Sequence, residues 1–431
     1  MPGRLRLFPI LAVLSALWLS GCSSGSGGDG RASVRLVNVS PGYTSLDLYA
    51  NGADDDTDQQ RVAGVAYESV SSYTQLESGT YSVKFKRSGI TSTLLTVSGR
   101  AFADDTHHTF VAFGSAGHFS ALQLDDDIAP PDSGRVKVQV LNVAEAGSLD
   151  VYLTESSVSL DDATPVVAGV AAGANSGVAT IDSGAYRLRV TGAGASDDLR
   201  LDVPTITFDS KQVLALVLTA TQGGVLVEAQ TLPQQGSLTK FANTKARIRG
   251  AVGTTSGPVV MRVGGVGVLN GAVGVVGNYT QVEAGTVPIT LTVNAAPVAV
   301  PNQTLVAGGE YTLLAWTDGA GTQTTLIGDD NRLPTGSGKA KIRVINGLSA
   351  LGVPVTMAVN FTPLAEGIAL GQASSFTEVD GGTDYQLDVT NTDTAESLVS
   401  KTAVTLQSSG VYTLFMSANG ATVSGTLRKD R

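Results

Sequence analysis

Leu76-Glu-Ser-Gly-Thr-Tyr-Ser-Val83 is the stretch on which the fold turns. A strand ends, an acidic residue and a glycine reverse the chain, and an aromatic residue opens the return strand. Glycine suits such a turn because a positive φ carries no Cβ penalty there. The phrase recurs as Ile181-Asp-Ser-Gly-Ala-Tyr-Arg-Leu188, Val282-Glu-Ala-Gly-Thr-Val-Pro-Ile289 and Val379-Asp-Gly-Gly-Thr-Asp-Tyr-Gln-Leu387. Gly79, Gly184, Gly285 and Gly382 therefore repeat at a period of about 100 residues, the size of a whole domain rather than of a solenoid unit.

Upstream of each copy lies an opening strand with period-two alternation. The four are Ser33-Val-Arg-Leu-Val-Asn38, Arg135-Val-Lys-Val-Gln-Val-Leu-Asn142, Lys245-Ala-Arg-Ile-Arg-Gly250 and Lys339-Ala-Lys-Ile-Arg-Val-Ile-Asn346. Val, Leu or Ile points one way and Arg, Lys or Gln the other, which predicts a half-buried strand. A second strand follows: Leu46-Asp-Leu-Tyr49, Leu149-Asp-Val-Tyr152, Val259-Val-Met-Arg-Val263 and Val355-Thr-Met-Ala-Val359. Downstream, a late strand recurs at Thr109-Phe-Val-Ala-Phe113, Gln212-Val-Leu-Ala-Leu-Val-Leu218, Tyr311-Thr-Leu-Leu-Ala-Trp316 and Tyr412-Thr-Leu-Phe415.

Short strands separated by turn signals predict an all-β chain of four tandem immunoglobulin-like β-sandwich domains, with an open barrel as the alternative. The likeness is to sandwich architecture alone, since the Cys–Trp–Cys core is absent. The expected divisions are a signal peptide over 1–21, a flexible Gly/Ser tether over 22–31, and sandwiches over 32–130, 134–236, 244–336 and 339–431. Short polar joints between them predict a bent rod or curved row.

The repeat resembles the domain-of-unknown-function 4397 family, found in tandem in bacterial secreted proteins and lipoproteins. Val34-Arg-Leu-Val-Asn-Val-Ser-Pro41, Leu46-Asp-Leu-Tyr-Ala-Asn-Gly52 and Ser78-Gly-Thr-Tyr-Ser-Val83 carry the resemblance. The second copy keeps Leu141-Asn142 and Leu149-Asp-Val-Tyr152 without the Ser-Pro, and the third replaces the turn tyrosine by Val287-Pro288. The resemblance implies β-sandwiches at the cell envelope and brings no catalytic residue with it.

The N-terminus supplies an address. Arg4 and Arg6 precede the apolar run Leu7 to Leu19, which closes on Leu19-Ser20-Gly21-Cys22. This is the charged, apolar and small-residue order of a secretory signal, and the run is too short for a comfortable span. Its end resembles the lipobox of bacterial lipoproteins, which implies cleavage between Gly21 and Cys22 and a lipid on the Cys22 thiol. Cys22 is the sole cysteine, so no internal disulfide is expected. Ser23 in place of aspartate points to the outer membrane under the sorting rule of that family. Acyl chains contribute about 0.8 kcal/mol per buried CH₂, so two or three hold a domain at a bilayer.

Charged residues are only 15% of the chain and the net charge is −10, which speaks against nucleic acid. His107, His108 and His118 are the only histidines, and adjacent strand histidines point to opposite faces, so loop roles are expected over a zinc site. Asp54-Asp-Asp-Thr-Asp58, Asp125-Asp-Asp127 and Asp329-Asp330 lack calcium-loop spacing and are expected as solvated loops. Glu77, Asp182 and Glu283 fall at turns, and no acidic pair singles itself out for glycoside hydrolysis. The glycine-rich stretch Gly264 to Gly277 has no lysine or following helix and is expected as a hairpin.

The expectation is a non-enzymatic envelope protein without catalytic residue, cofactor or metal, in a structural, adhesion or binding role. Its partners would be the membrane, through Cys22, and an envelope protein or glycan. The alternative is a carbohydrate-binding or carbohydrate-processing lipoprotein, for which Tyr43, Tyr67, Tyr73 and Trp316 would supply an aromatic platform.

Overall fold

The computed structural model describes residues 30–52, 55, 57–254 and 257–431. Gly21, Cys22 and the signal peptide lie outside the described residues. Every regular element among those described is a strand.

The first module contains β1 (Arg31–Asn38), β2 (Ser45–Gly52), β3 (Gln60–Ala66), β4 (Ser69–Val70), β5 (Thr74–Glu77), β6 (Gly79–Arg87), β7 (Thr93–Phe102), β8 (His107–Phe113) and β9 (Ser120–Asp125). One sheet runs β4-β1-β8-β9, with β5 also on β1, and the other runs β3-β2-β6-β7. β1 and β8 pair in parallel, a crossover through the opposite sheet, while β1–β5, β2–β6 and β8–β9 are antiparallel. The plan repeats three times. Its parallel pairs are Arg135–Asn142 with Val213–Ala220, Lys245–Val252 with Glu310–Asp318, and Lys339–Gly347 with Val411–Asn419. The all-β sandwich expectation holds. The second module's sheet continues to Thr239–Phe241, past the residue 236 set from the sequence.

Alternation builds each core. In the first module Val34 and Leu36 of β1 face Leu46, Leu48, Val83, Phe85 and Phe110 inside the sandwich. Equivalent apolar clusters fill the other three modules. Side chains of period two must present a second face, however, and here it is covered too. Arg35, Arg249 and Arg343 are each 2% exposed. The half-buried strand read from the alternation is thus buried on both faces, because a neighbouring module packs against the outer one.

The shared phrases also gain a physical meaning. Tyr81 Oη donates to Glu77 O at 2.8 Å, Tyr186 Oη to Asp182 O at 2.8 Å, and Tyr385 Oη to Asp380 O at 2.7 Å. The acidic residue serves through its carbonyl, and the tyrosine fastens the chain as it crosses between sheets. Gly184 and Gly285 take positive φ of 148° and 105°. Gly79 and Gly382 do not; at Gly382 a Cβ would lie 3.2 Å from the Tyr385 ring. The family's asparagine is a loop clamp. Asn38 Nδ2 donates to Tyr43 O and Val65 O, and its Oδ1 accepts from Ser40 N. Asn142 and Asn346 repeat this with Gly147, Val170 and Ala144, and with Val353, Ile368 and Leu348.

The modules do not form the expected rod or row. They pack in pairs, first on second and third on fourth, through the outer faces of the opening-strand sheets. Val37, Val39, Val111 and Phe113 meet Leu141, Val143, Ala215 and Val217. Ala251, Leu314 and Ile327 meet Ile345 and Phe415. The pairs are then joined. Gly223 N donates to Gly308 O at 3.0 Å between the second and third modules. Arg431 Nη1 donates to Gly224 O at 2.9 Å, bringing the segment after the fourth module's last strand to the second module. His118 reaches Pro334 O, and a Cβ on Gly117 would lie 1.8 Å from Thr335 O, so the first module seats on the connector between third and fourth. Burial of the apolar outer faces outweighs the freedom a short polar joint would allow.

Candidate functional site

The arginines on the outer faces form locks between modules. In the third, Arg249 Nε donates to Thr312 Oγ1 at 3.0 Å, and Thr312 Oγ1 and Tyr279 Oη each donate to Asp329 Oδ2 at 2.7 Å. The guanidinium then crosses the interface and grips Asp430 of the fourth module with both terminal nitrogens, at 2.5 and 3.0 Å. The fourth module answers in kind: Arg343 Nε donates to Thr413 Oγ1 at 3.1 Å, Nη1 to Gly328 O at 3.0 Å, and Nη2 to Asp329. Tyr279 and Phe376 lie under the two guanidinium planes, 4.4 and 4.5 Å away. Burial alone would weaken the Arg249 charge, but Tyr279, Asp430 and Asp329 outweigh it and hold the pKa above the usual arginine value. Burial, followed by Asp329, pushes the Tyr279 phenol well up, so it stays a donor.

The first module carries the same set in Arg35, Thr109, Asp126 and Tyr73. The second has Gln139, Ala215, Gln234 and Val178 at the matching registers, so the exchange is one-sided. Arg35 Nη1 donates to Gly236 O at 2.6 Å instead, and Gln234 bonds both backbone groups of Ile128 at 3.1 Å.

Residues singled out in the sequence are dispersed among such contacts. His107 Nδ1 lies 3.0 Å from Asp127 and His108 Nδ1 3.0 Å from Asp125. Asp329 is 4% exposed, so the expected solvated loop is an interior ion-pair partner, and Asp126 likewise. Among the described residues no three His, Cys, Asp or Glu side chains gather as a metal site. Asp58 is held by Lys84 at 2.7 Å and by Lys86. Gly264 and Gly265 turn the hairpin between Val259–Val263 and Val266–Gly271. Of the four candidate platform aromatics, Tyr43 packs edge-on against Phe119, Tyr73 belongs to the first lock, and Trp316 lies against Gly371 with Nε1 on Thr325. Tyr67 lines a cavity.

That cavity lies where the modules meet. It holds 220 Å³, bordered by Pro41, Tyr67 and Ser115 of the first module, Glu145, Ala220 and Gln222 of the second, and Arg332 and Arg431. Arg332 also borders two neighbouring hollows, of 410 Å³ beside Glu310 and Tyr311 and of 280 Å³ beside Lys341 and Phe376. The charges differ in how they are met. Arg332 is chelated by Asp330 at 2.8 and 3.1 Å, which raises its pKa. Burial pushes Asp330 up, but Arg332 and Lys341 outweigh it and leave the carboxyl below its ordinary value. Glu310 is pushed up by burial, partly offset by Arg247 at 3.1 Å. Burial lowers Arg431 to about 10, against the pull of Glu145. Sequence reasoning missed Glu145, Arg332 and Arg431; each stands in a loop, connector or terminus with no periodic pattern to mark it.

The model of a domain of unknown function, DUF4397, matches residues 32–152 and 254–356, over half of the chain. The chain belongs to this family. The first match opens with the first DUF4397 module and the second begins just after the third module's opening strand, Lys245–Val252; each runs into the second strand of the module paired with it. No curated protein matches this DUF4397 chain. Among solved structures it is similar to the CBM26 module CBMbc of Eubacterium rectale Amy13K in complex with maltoheptaose, at 11% identity, 49% of this chain, 97% of that one and a TM-score of 0.14. It is also similar to the Bacillus anthracis TIE protein, at 12% identity, 87% of this chain, 69% of that one and a TM-score of 0.15. At these scores neither fixes a shared ligand.

Proposed function

We propose that this DUF4397 protein is a non-enzymatic component of the cell envelope, a four-module block moored by lipid on Cys22 to the outer membrane, in a structural, adhesion or binding role. The observation that carries the reading is the use of its polar side chains. The arginines, aspartates and threonines of the outer faces are spent locking module to module rather than converging on a reacting centre. A block joined to a Gly/Ser run presents its outer surface as one body at a distance set by the tether.

Metabolic labelling with an alkynyl fatty acid tests the anchor. The wild-type protein takes the label and sediments with outer membranes, and Cys22→Ser abolishes both. An unlabelled wild-type protein carrying a free thiol contradicts the proposal. Glycan-array binding lost on changing Tyr67 would favour the carbohydrate alternative instead.

A further inference from the structure

Among the described residues, the cavity between modules is lined by a cation, Arg431, that no carboxylate contacts directly. Arg431 Nη1 donates to two carbonyls, Gly224 O at 2.9 Å and Asn331 O at 3.0 Å. Neutral carbonyls fix the guanidinium in place without balancing its charge. Among the described residues no carboxylate oxygen comes within ion-pair distance of it, and Nε and Nη2 make no hydrogen bond. Neither nitrogen is sealed off from open space. The other cations beside the hollows are taken: Arg332 by the Asp330 chelate, and Lys341 by Asp330 at 3.3 Å. Glu145, the acidic group in the lining, is turned to Ser115, whose N and Oγ each lie 3.3 Å from its carboxylate. The remaining lining is apolar or weakly polar and includes Pro41, Tyr67, Ala144 and Ala220. A cleft at a domain junction with apolar lining and a cation that no carboxylate contacts has the anatomy of a small-molecule site.

We propose that this cavity binds a small organic anion, a carboxylate on a compact apolar body, with the Arg431 guanidinium as its counter-ion and the wall of Pro41, Tyr67 and Ala220 around the body. A guanidinium offers two parallel donors to a carboxylate, the geometry Nε and Nη2 leave free. Burial depresses the Arg431 pKa against the more distant pull of Glu145 and Glu310, and a partly desolvated cation is stabilised by an arriving anion. The 220 Å³ volume limits the body to about one aromatic ring or a short alkyl chain. The inference is independent of the anchor and stands or falls without it.

Calorimetry and ligand-observed NMR on the mature chain, with benzoate, hexanoate and benzylamine as probes, test it. Benzoate and hexanoate should saturate a single site, and benzylamine should not. Arg431→Gln should weaken benzoate about tenfold or more, the loss of a charged hydrogen-bond pair. Ala220→Leu should weaken it as far with the arginine intact, and Glu145→Gln should tighten it. Thermal melts of each variant establish that the block is folded. Failure of wild-type protein to saturate with benzoate, or affinity unchanged from wild type in folded Arg431→Gln or folded Ala220→Leu, overturns the proposal, as does preference for benzylamine.

Discussion

Arg249 concentrates the molecule's electrostatics in one side chain. Two carboxylates, a threonine and two rings surround it in a space closed to water. Removing one partner from such a set leaves the others buried and uncompensated, so Arg249→Ala is expected to cost about 3–5 kcal/mol in denaturant unfolding. Arg35→Ala should cost less, because its partner module offers a carbonyl and no reciprocal carboxylate. Equal losses would show that the reciprocal pairing adds nothing. Asp58 makes the opposite case, at the surface. Its carboxyl is held well down by Lys84 and then Lys86, so its contribution is present above the ordinary value of 3.8 and fades as pH falls through the depressed one. Wild-type protein should exceed Asp58→Asn modestly in stability at neutral pH, the gap closing on acidification and shrinking in high salt. A gap that widens in acid would reverse the assignment. The sequence showed these arginines as an alternating row. It could not show what covers them, since period two reports two faces and says nothing of a neighbour 181 residues away.

At the scale of elements, the landmark turn was legible because strand, acid, glycine and tyrosine recur in order. What escaped was the job each performs. The tyrosine hydroxyl bonds the acidic residue's carbonyl, a backbone group that has no signature in the side-chain pattern. Tyr81→Phe should therefore cost about 0.5–1.5 kcal/mol, the usual worth of one hydrogen bond, while Glu77→Gln should be near neutral. Equilibrium unfolding of the two variants separates these roles, and a larger loss for Glu77→Gln would return the function to its carboxylate. The parallel pairing of β1 with β8 was likewise hidden, because partners 74 residues apart share no local signal. The clamp asparagines were visible only as part of a family phrase; their burial at 0% and paired carbonyls explain the phrase without recourse to catalysis.

Across the whole molecule, four sandwiches that could each close a core still fold onto one another. The reason lies in the outer face of the opening sheet, where Val37, Val111 and Phe113, or Leu314, Ile345 and Phe415, would otherwise meet water. Pairing buries them, and the junction contacts of Gly117, Gly224 and Arg431 then close the two pairs into one body. The cavity follows from that closure, and so does its invisibility in the sequence: its walls come from positions as distant as Pro41 and Arg431. Small-angle scattering of the mature chain in solution tests the packing most directly. A closed block of this length predicts a radius of gyration of about 22 Å, whereas four separate bodies in a row predict about 39 Å. A value near the first, unchanged by salt, is the expected result; a value near the second would contradict the inter-module locks from which the rest is derived.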